Sequence, residues 1–176
     1  MLLLLDFLMM GCLFTVFLQD VRFRAVSWLF FPVLAILYVV HGLVAGIRLQ
    51  EIAYNSGLNL GFLAVVFLLV WLYISLRRRS WTYLPDKLIG WGDILFLLGL
   101  CFYFTLLNFI VFYIISLLII IIFWLAWTYY RPQAAHRHVP LAGLQAIILS
   151  AFLIADWLVK GIDLTSDNWL LFLMSR

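Results

Sequence analysis

Phe109 to Tyr130 reads FIVFYIISLLIIIIFWLAWTYY, an uncharged run in which a single serine and a single threonine interrupt aliphatic and aromatic side chains. As an α-helix rising 1.5 Å per residue, it is long enough to cross a hydrocarbon core of about 30 Å. The rest of the chain has the same character: 68% of its 176 residues are hydrophobic and 11% are charged. Soluble domains are about half apolar and about a quarter charged. A soluble fold of this length cannot hide so much apolar surface, but a bilayer can. The expected fold is therefore all-α. It is a polytopic integral membrane protein in which a bundle of about six transmembrane helices makes one membrane-embedded domain over residues 1–176.

Reading outward from that run, polar breaks delimit helices over roughly Leu2 to Gln19, Val26 to Gly46, Leu58 to Leu76, Leu88 to Leu107, Phe109 to Tyr130 and Val139 to Val159. The first of these lacks the basic n-region and small-x-small site of a secretory leader, so it is expected to be a retained helix. The fourth and fifth are separated only at Asn108, a residue that tolerates turns.

The basic residues test this count. If connections alternate sides, Arg22, Arg24, Arg77, Arg78, Arg79, Lys87, Arg131 and Arg137 share one side, and Arg48, Lys160 and Arg176 share the other. Positive residues concentrate on the cytoplasmic side of membrane proteins, so the first side is expected to be cytoplasmic. The net charge of +3 thus reflects topology rather than a nucleic-acid partner. No soluble domain is expected, because Arg77 to Lys87 is the only sizeable polar segment.

Carboxylates at or within membrane helices are costly and functional by default. Glu51, Asp86, Asp163 and Asp167 are expected in loops or the tail as solvated charges. Asp6 and Asp156 sit near the outer helix ends and read as structural, either by reaching the interface or, for Asp156, by pairing with Lys160 at i,i+4. Asp20 closes the first helix before Val21-Arg22-Phe23-Arg24. Asp93 follows Gly90-Trp91-Gly92 and leads into an apolar helix. Two glycines disfavour a helix start, so Gly90 and Gly92 are read as allowing a substrate backbone close to the Asp93 carboxylate. The topology brings Asp20 and Asp93 to the same membrane face. Like charges at close range do not both ionise, and such a pair shares one proton. One member then draws a proton from water while the other polarises a carbonyl, as in aspartic proteases.

These residues resemble the type IV prepilin peptidases, membrane aspartic proteases of the GxGD kind, in a compact peptidase-only form. Gly90-Trp91-Gly92-Asp93 matches the motif. Asp20-Val21-Arg22-Phe23-Arg24 looks like the family's first aspartate segment, and His138-Val139-Pro140-Leu141-Ala142-Gly143 looks like the Pro-containing start of its last helix. Two departures stand out. Val26-Ser27-Trp28 replaces an Ile-Pro-Asn-like turn, and nothing corresponds to the cysteine-bearing domain linked to methyltransferase activity. The resemblance implies an Asp20/Asp93 dyad with no metal and no cofactor. It also implies a prepilin-like or pseudopilin precursor as substrate, cut at the cytoplasmic face of a bacterial or archaeal cytoplasmic membrane. An acidic site suits a basic leader. The alternatives are a catalytically idle relative acting as a scaffold in a secretion or appendage system, and a small transporter.

The remaining candidates have plainer readings. Cys12 and Cys101 lie in apolar runs and read as buried thiols. His136 and His138 lack metal-binding partners and read as loop residues, and His41 reads as a helix-packing residue. Tryptophans near helix ends, such as Trp28, Trp71, Trp124 and Trp157, read as interfacial anchors.

Overall fold

The computed structural model describes residues 1–23, 25–78, 90–130, 140–159 and 167. Among these residues six helices follow in order: α1 (Leu2–Phe23), α2 (Phe30–Val44), α3 (Leu49–Arg78), α4 (Trp91–Leu100), α5 (Leu106–Tyr130) and α6 (Leu141–Val159). The all-α bundle agrees with the sequence reading, and the described residues contain no strand. Helices α1, α3 and α5 are long and apolar enough to cross a membrane, whereas α2, α4 and α6 are shorter apolar helices. Most of the basic residues used to orient the chain, and Asp86, Asp163, His136, His138 and Lys160, lie outside the described residues.

The burial pattern is that of a membrane bundle turned inside out relative to a soluble one. Asn59, Asn108, Ser116 and Gln145 are almost completely buried. The outward face of α3 presents Leu68, Leu69 and Leu72, and that of α5 presents Leu118, Ile122 and Leu125. An exposed apolar surface this continuous has lipid as its natural solvent, while backbone and amide groups must find partners inside the bundle.

Helices α1 and α2 each turn one narrow stripe inward. On α1 the stripe is Leu5, Met9, Leu13, Val16 and Asp20, and on α2 it is Phe31, Leu34, Tyr38 and Gly42. Both follow the three-and-four spacing of a single helix face. Helix α1 packs most extensively on α6 and α2, and the short α4 is wedged against α2 and α6. The α4–α5 turn is filled with aromatic rings, with Phe104 stacked on Phe112 at 5.2 Å and Phe62 edge-on to Phe109 at 6.0 Å.

Several boundaries differ from the sequence reading. Helix α1 runs past Gln19 to Phe23, so Asp20 lies inside its last turn rather than closing it. Pro32 sits in the first turn of α2, where its missing N–H is not needed. The end of α2 is a Schellman closure: Gly46 takes φ +92, its N–H donates to the Leu43 carbonyl, and the Ile47 N–H donates to the Gly42 carbonyl. Helix α3 starts at Leu49, well before Leu58, so Glu51 lies in its first turn and not in a loop. A carboxylate there favours the positive end of the helix dipole.

Tertiary contacts explain why the polar start of α3 is helical. The buried Asn59 amide donates to the Cys101 carbonyl at 3.0 Å and the Phe104 carbonyl at 2.8 Å, closing the end of α4. The turn before α5 therefore falls at residues 101–105 and not at Asn108, which is buried in α5 and donates to the Thr105 hydroxyl. Helix α4 is correspondingly shorter than the expected Leu88 to Leu107 span. The sequence places Asp167 as a solvated tail charge, but it is partly buried and accepts a hydrogen bond from Thr105 Oγ1.

Candidate functional site

Helix α6 begins after Pro140, whose carbonyl accepts the first helical bond, from the Leu144 N–H at 3.1 Å. A helix start leaves its first amides without internal partners, and a side chain at the N-cap usually accepts from the second or third of them. Proline has no side-chain acceptor, and the first turn of α6 contains no acidic residue. The acceptors come from two other helices. Asp93 Oδ1, from the first turn of α4, accepts from the Ala142 N–H at 2.8 Å. Asp20 Oδ2, from the last turn of α1, accepts from the Gly143 N–H at 2.6 Å.

The two sequence-expected aspartates thus meet on consecutive amides. With neighbouring helix nitrogens about 2.8 Å apart, the acceptor oxygens lie no more than about 8 Å from each other. The carboxylates are close enough to act on each other electrostatically. Asp20 is buried at 8% exposure and Asp93 is half-buried. Charge-assisted bonds of this kind are roughly twice as strong as neutral ones, and the helix dipole adds to them.

The glycines play unequal parts. A Cβ on Gly143 would sit 2.9 Å from Asp20 Cβ and 3.0 Å from its Oδ2, so this position has no room for a side chain. A Cβ on Gly90 would lie 3.1 Å from Asp93 Oδ2, and one on Gly92 would meet only Val26 Cβ at 4.0 Å. Gly90 has φ −66 and ψ 139, which any residue can adopt. Its need for glycine is one of space beside the carboxylate.

The segment after α1 is held back towards the site by the Ser27 N–H, which donates to Gln19 Oε1 at 2.9 Å. Sequence reasoning singles out Asp20, Asp93, Gly90 and Gly92 but assigns no role to Gln19 or Gly143. The Pro140-Leu141-Ala142-Gly143 stretch carries the available signal, a helix start without its own cap. Among the described residues, no cluster of three or more His, Cys, Asp or Glu could hold a metal ion. The chain matches no family model, no curated protein and no solved structure.

Proposed function

We propose that this chain is a membrane aspartic endopeptidase of the prepilin-peptidase kind, with Asp20 and Asp93 as its dyad. The observation that supports the reading most is the convergence of both carboxylates on the neighbouring Ala142 and Gly143 amides. A span of at most about 8 Å between acceptor oxygens brings both groups within reach of one water and one scissile bond. In this reading the ionised member takes a proton from that water as it attacks the scissile carbonyl. The protonated member hydrogen-bonds the carbonyl oxygen and later gives its proton to the leaving amine. The substrate is a pilin-like precursor with a basic leader in the cytoplasm and an apolar helix in the bilayer. The basic residues assigned to the same side of the chain set that orientation.

A second reading draws on the same bonds. Two aspartates that cap α6 also tie α1, α4 and α6 together, which is what a catalytically idle scaffold needs. Asparagine separates the readings, because its carbonyl oxygen caps a helix about as well as aspartate does but cannot serve as a general base. Asp20→Asn and Asp93→Asn are expected to keep the fold while lowering leader cleavage at least about 1,000-fold. The assay uses purified protein in lipid vesicles with a panel of prepilin-like precursors and an active prepilin peptidase in parallel. Wild-type protein that cuts none of the precursors cut by that enzyme supports the scaffold. Cleavage retained by either variant would falsify the dyad.

A further inference from the structure

The opposite end of the bundle holds a second polar cluster, about 21 Å along α1 from Asp20. Tyr38 and His41 are three residues apart on α2 and so share a helix face. His41 Nε2 lies 3.0 Å from Asp6 Oδ1, joining α2 to α1. The Tyr103 ring, in the turn after α4, packs on Tyr38 at 4.8 Å and on His41 at 6.0 Å. The imidazole borders two spaces. One is a cavity of about 380 Å³ that Asp6 also lines. The other is a chamber of about 30 Å³, where its polar neighbours include Tyr38, Asn55 and Thr105.

The smaller space is the one with polar groups to satisfy. Tyr38 is 2% exposed, and its hydroxyl, like His41 Nδ1, is buried with no hydrogen-bond partner within the protein. The contact with Asp6 places a ring hydrogen on Nε2, which leaves Nδ1 of the neutral imidazole with a lone pair. Thr105 Oγ1 donates to Asp167 and accepts from the Asn108 amide. A hydroxyl has two acceptor positions, so one of them is still open. Buried donors and acceptors are nearly always paired, with protein or with ordered water.

We propose that the chamber is a water-binding site, and that its water joins Asp6 to Asp167 through His41, Tyr38 and Thr105 in one hydrogen-bonded network. A buried water needs about 10–15 Å³ and two to four polar partners, so there is room for one and at most about two. Such a water donates to His41 Nδ1 and Thr105 Oγ1 and accepts from the Tyr38 hydroxyl, which is the usual complement of about three bonds. An apolar occupant would leave the Tyr38 hydroxyl and Nδ1 unpaired. No carboxylate and no Lys or Arg lines the chamber, so a bare ion there has no counter-charge. The network ties α1, α2 and the α4–α5 turn together at the outer end. It is separate from the aspartate pair and does not depend on the proposed peptidase activity.

The test uses the full chain in phosphatidylcholine bilayers with isotope-labelled tyrosine and methionine, and follows NMR magnetisation transfer from water into the protein. Met9 is fully buried and lines neither space, so it serves as the dry reference. Difference spectra against Tyr38→Phe and Met9→Leu assign the two signals. Transfer to the Tyr38 ring is expected to be at least about threefold faster than to Met9. Ile47→Phe, which fills the chamber without removing a polar group, should bring it down to the Met9 rate. Thermal unfolding in mixed micelles gives an independent reading. Tyr38→Phe should lower the midpoint, because the water loses a partner. In a dry chamber the same change removes an unsatisfied hydroxyl and raises the midpoint. Transfer to Tyr38 no faster than to Met9, transfer unchanged in Ile47→Phe, or a midpoint raised by Tyr38→Phe would overturn the proposal.

Discussion

Acidic side chains stand at both ends of the bundle, but the two ends hold them differently. At one end Asp20 and Asp93 are fixed by backbone amides of α6. At the other, Asp6 meets an imidazole beside an open cavity. Backbone donors are placed by the helix itself and have no rotamers to lose. A side-chain ion pair must order both partners, and a partly exposed one contributes about 0–1 kcal/mol. Asp6 is 39% exposed on its side chain, against 8% for Asp20 as a residue. The first arrangement suits groups whose separation must not change, and the second leaves both partners freer to move.

Substitutions at the glycines give the sharpest test of that contrast. Gly143→Ala forces Asp20 off its amide, and a loss of about 1–3 kcal/mol in stability is expected, with cleavage falling at least about 100-fold. Unfolding in mixed micelles and a cleavage assay read the two effects. Wild-type stability in this variant would mean that the amide contact contributes little to positioning the pair.

Next in size is Asn59→Leu, which leaves the Cys101 and Phe104 carbonyls without their amide donor. A destabilisation of about 1–3 kcal/mol is expected in the same unfolding measurement. This checks that α4, and hence Asp93, is held from its far end.

Gly90→Ala should have a smaller effect, because only the Asp93 carboxylate has to give by a few tenths of an ångström. Gly92→Ala should leave stability within about 0.5 kcal/mol, apart from any gain in helix propensity. A cleavage loss confined to Gly92→Ala would sharpen the view that this position serves substrate approach.

The smallest change is expected at the outer end. His41→Gln should alter stability by less than about 1 kcal/mol and leave leader cleavage unchanged. A loss comparable to that of Gly143→Ala would break the comparison, since both ends would then carry equal structural weight.

Much of this arrangement is legible in the residues themselves. The uncharged run from Phe109 to Tyr130 identifies a membrane helix with no reference to its neighbours, because apolar length against bilayer thickness is a property of one segment. Gly46 at the end of α2 and Pro32 in its first turn obey equally local rules. The start of α3 is not legible. Asn55, Ser56 and Asn59 look like loop residues until the α4–α5 turn supplies carbonyls for Asn59 to bond. The burial of Asp167 is hidden for a similar reason, since its partner Thr105 is remote in the chain.

The sequence by itself determined an all-α membrane bundle and singled out Asp20 and Asp93 as charges too costly to be incidental. Both conclusions rest on the energetics of placing apolar and charged groups near lipid, which residue order alone can specify. Only the tertiary structure decided that the two carboxylates meet on the Ala142 and Gly143 amides, that Gly143 is the glycine with no room to spare, and that a cavity lies beside Asp6. Those facts depend on how α1, α4 and α6 cross. Crossing is set by side-chain packing between segments far apart in the chain, and a periodic pattern read along one helix does not contain it.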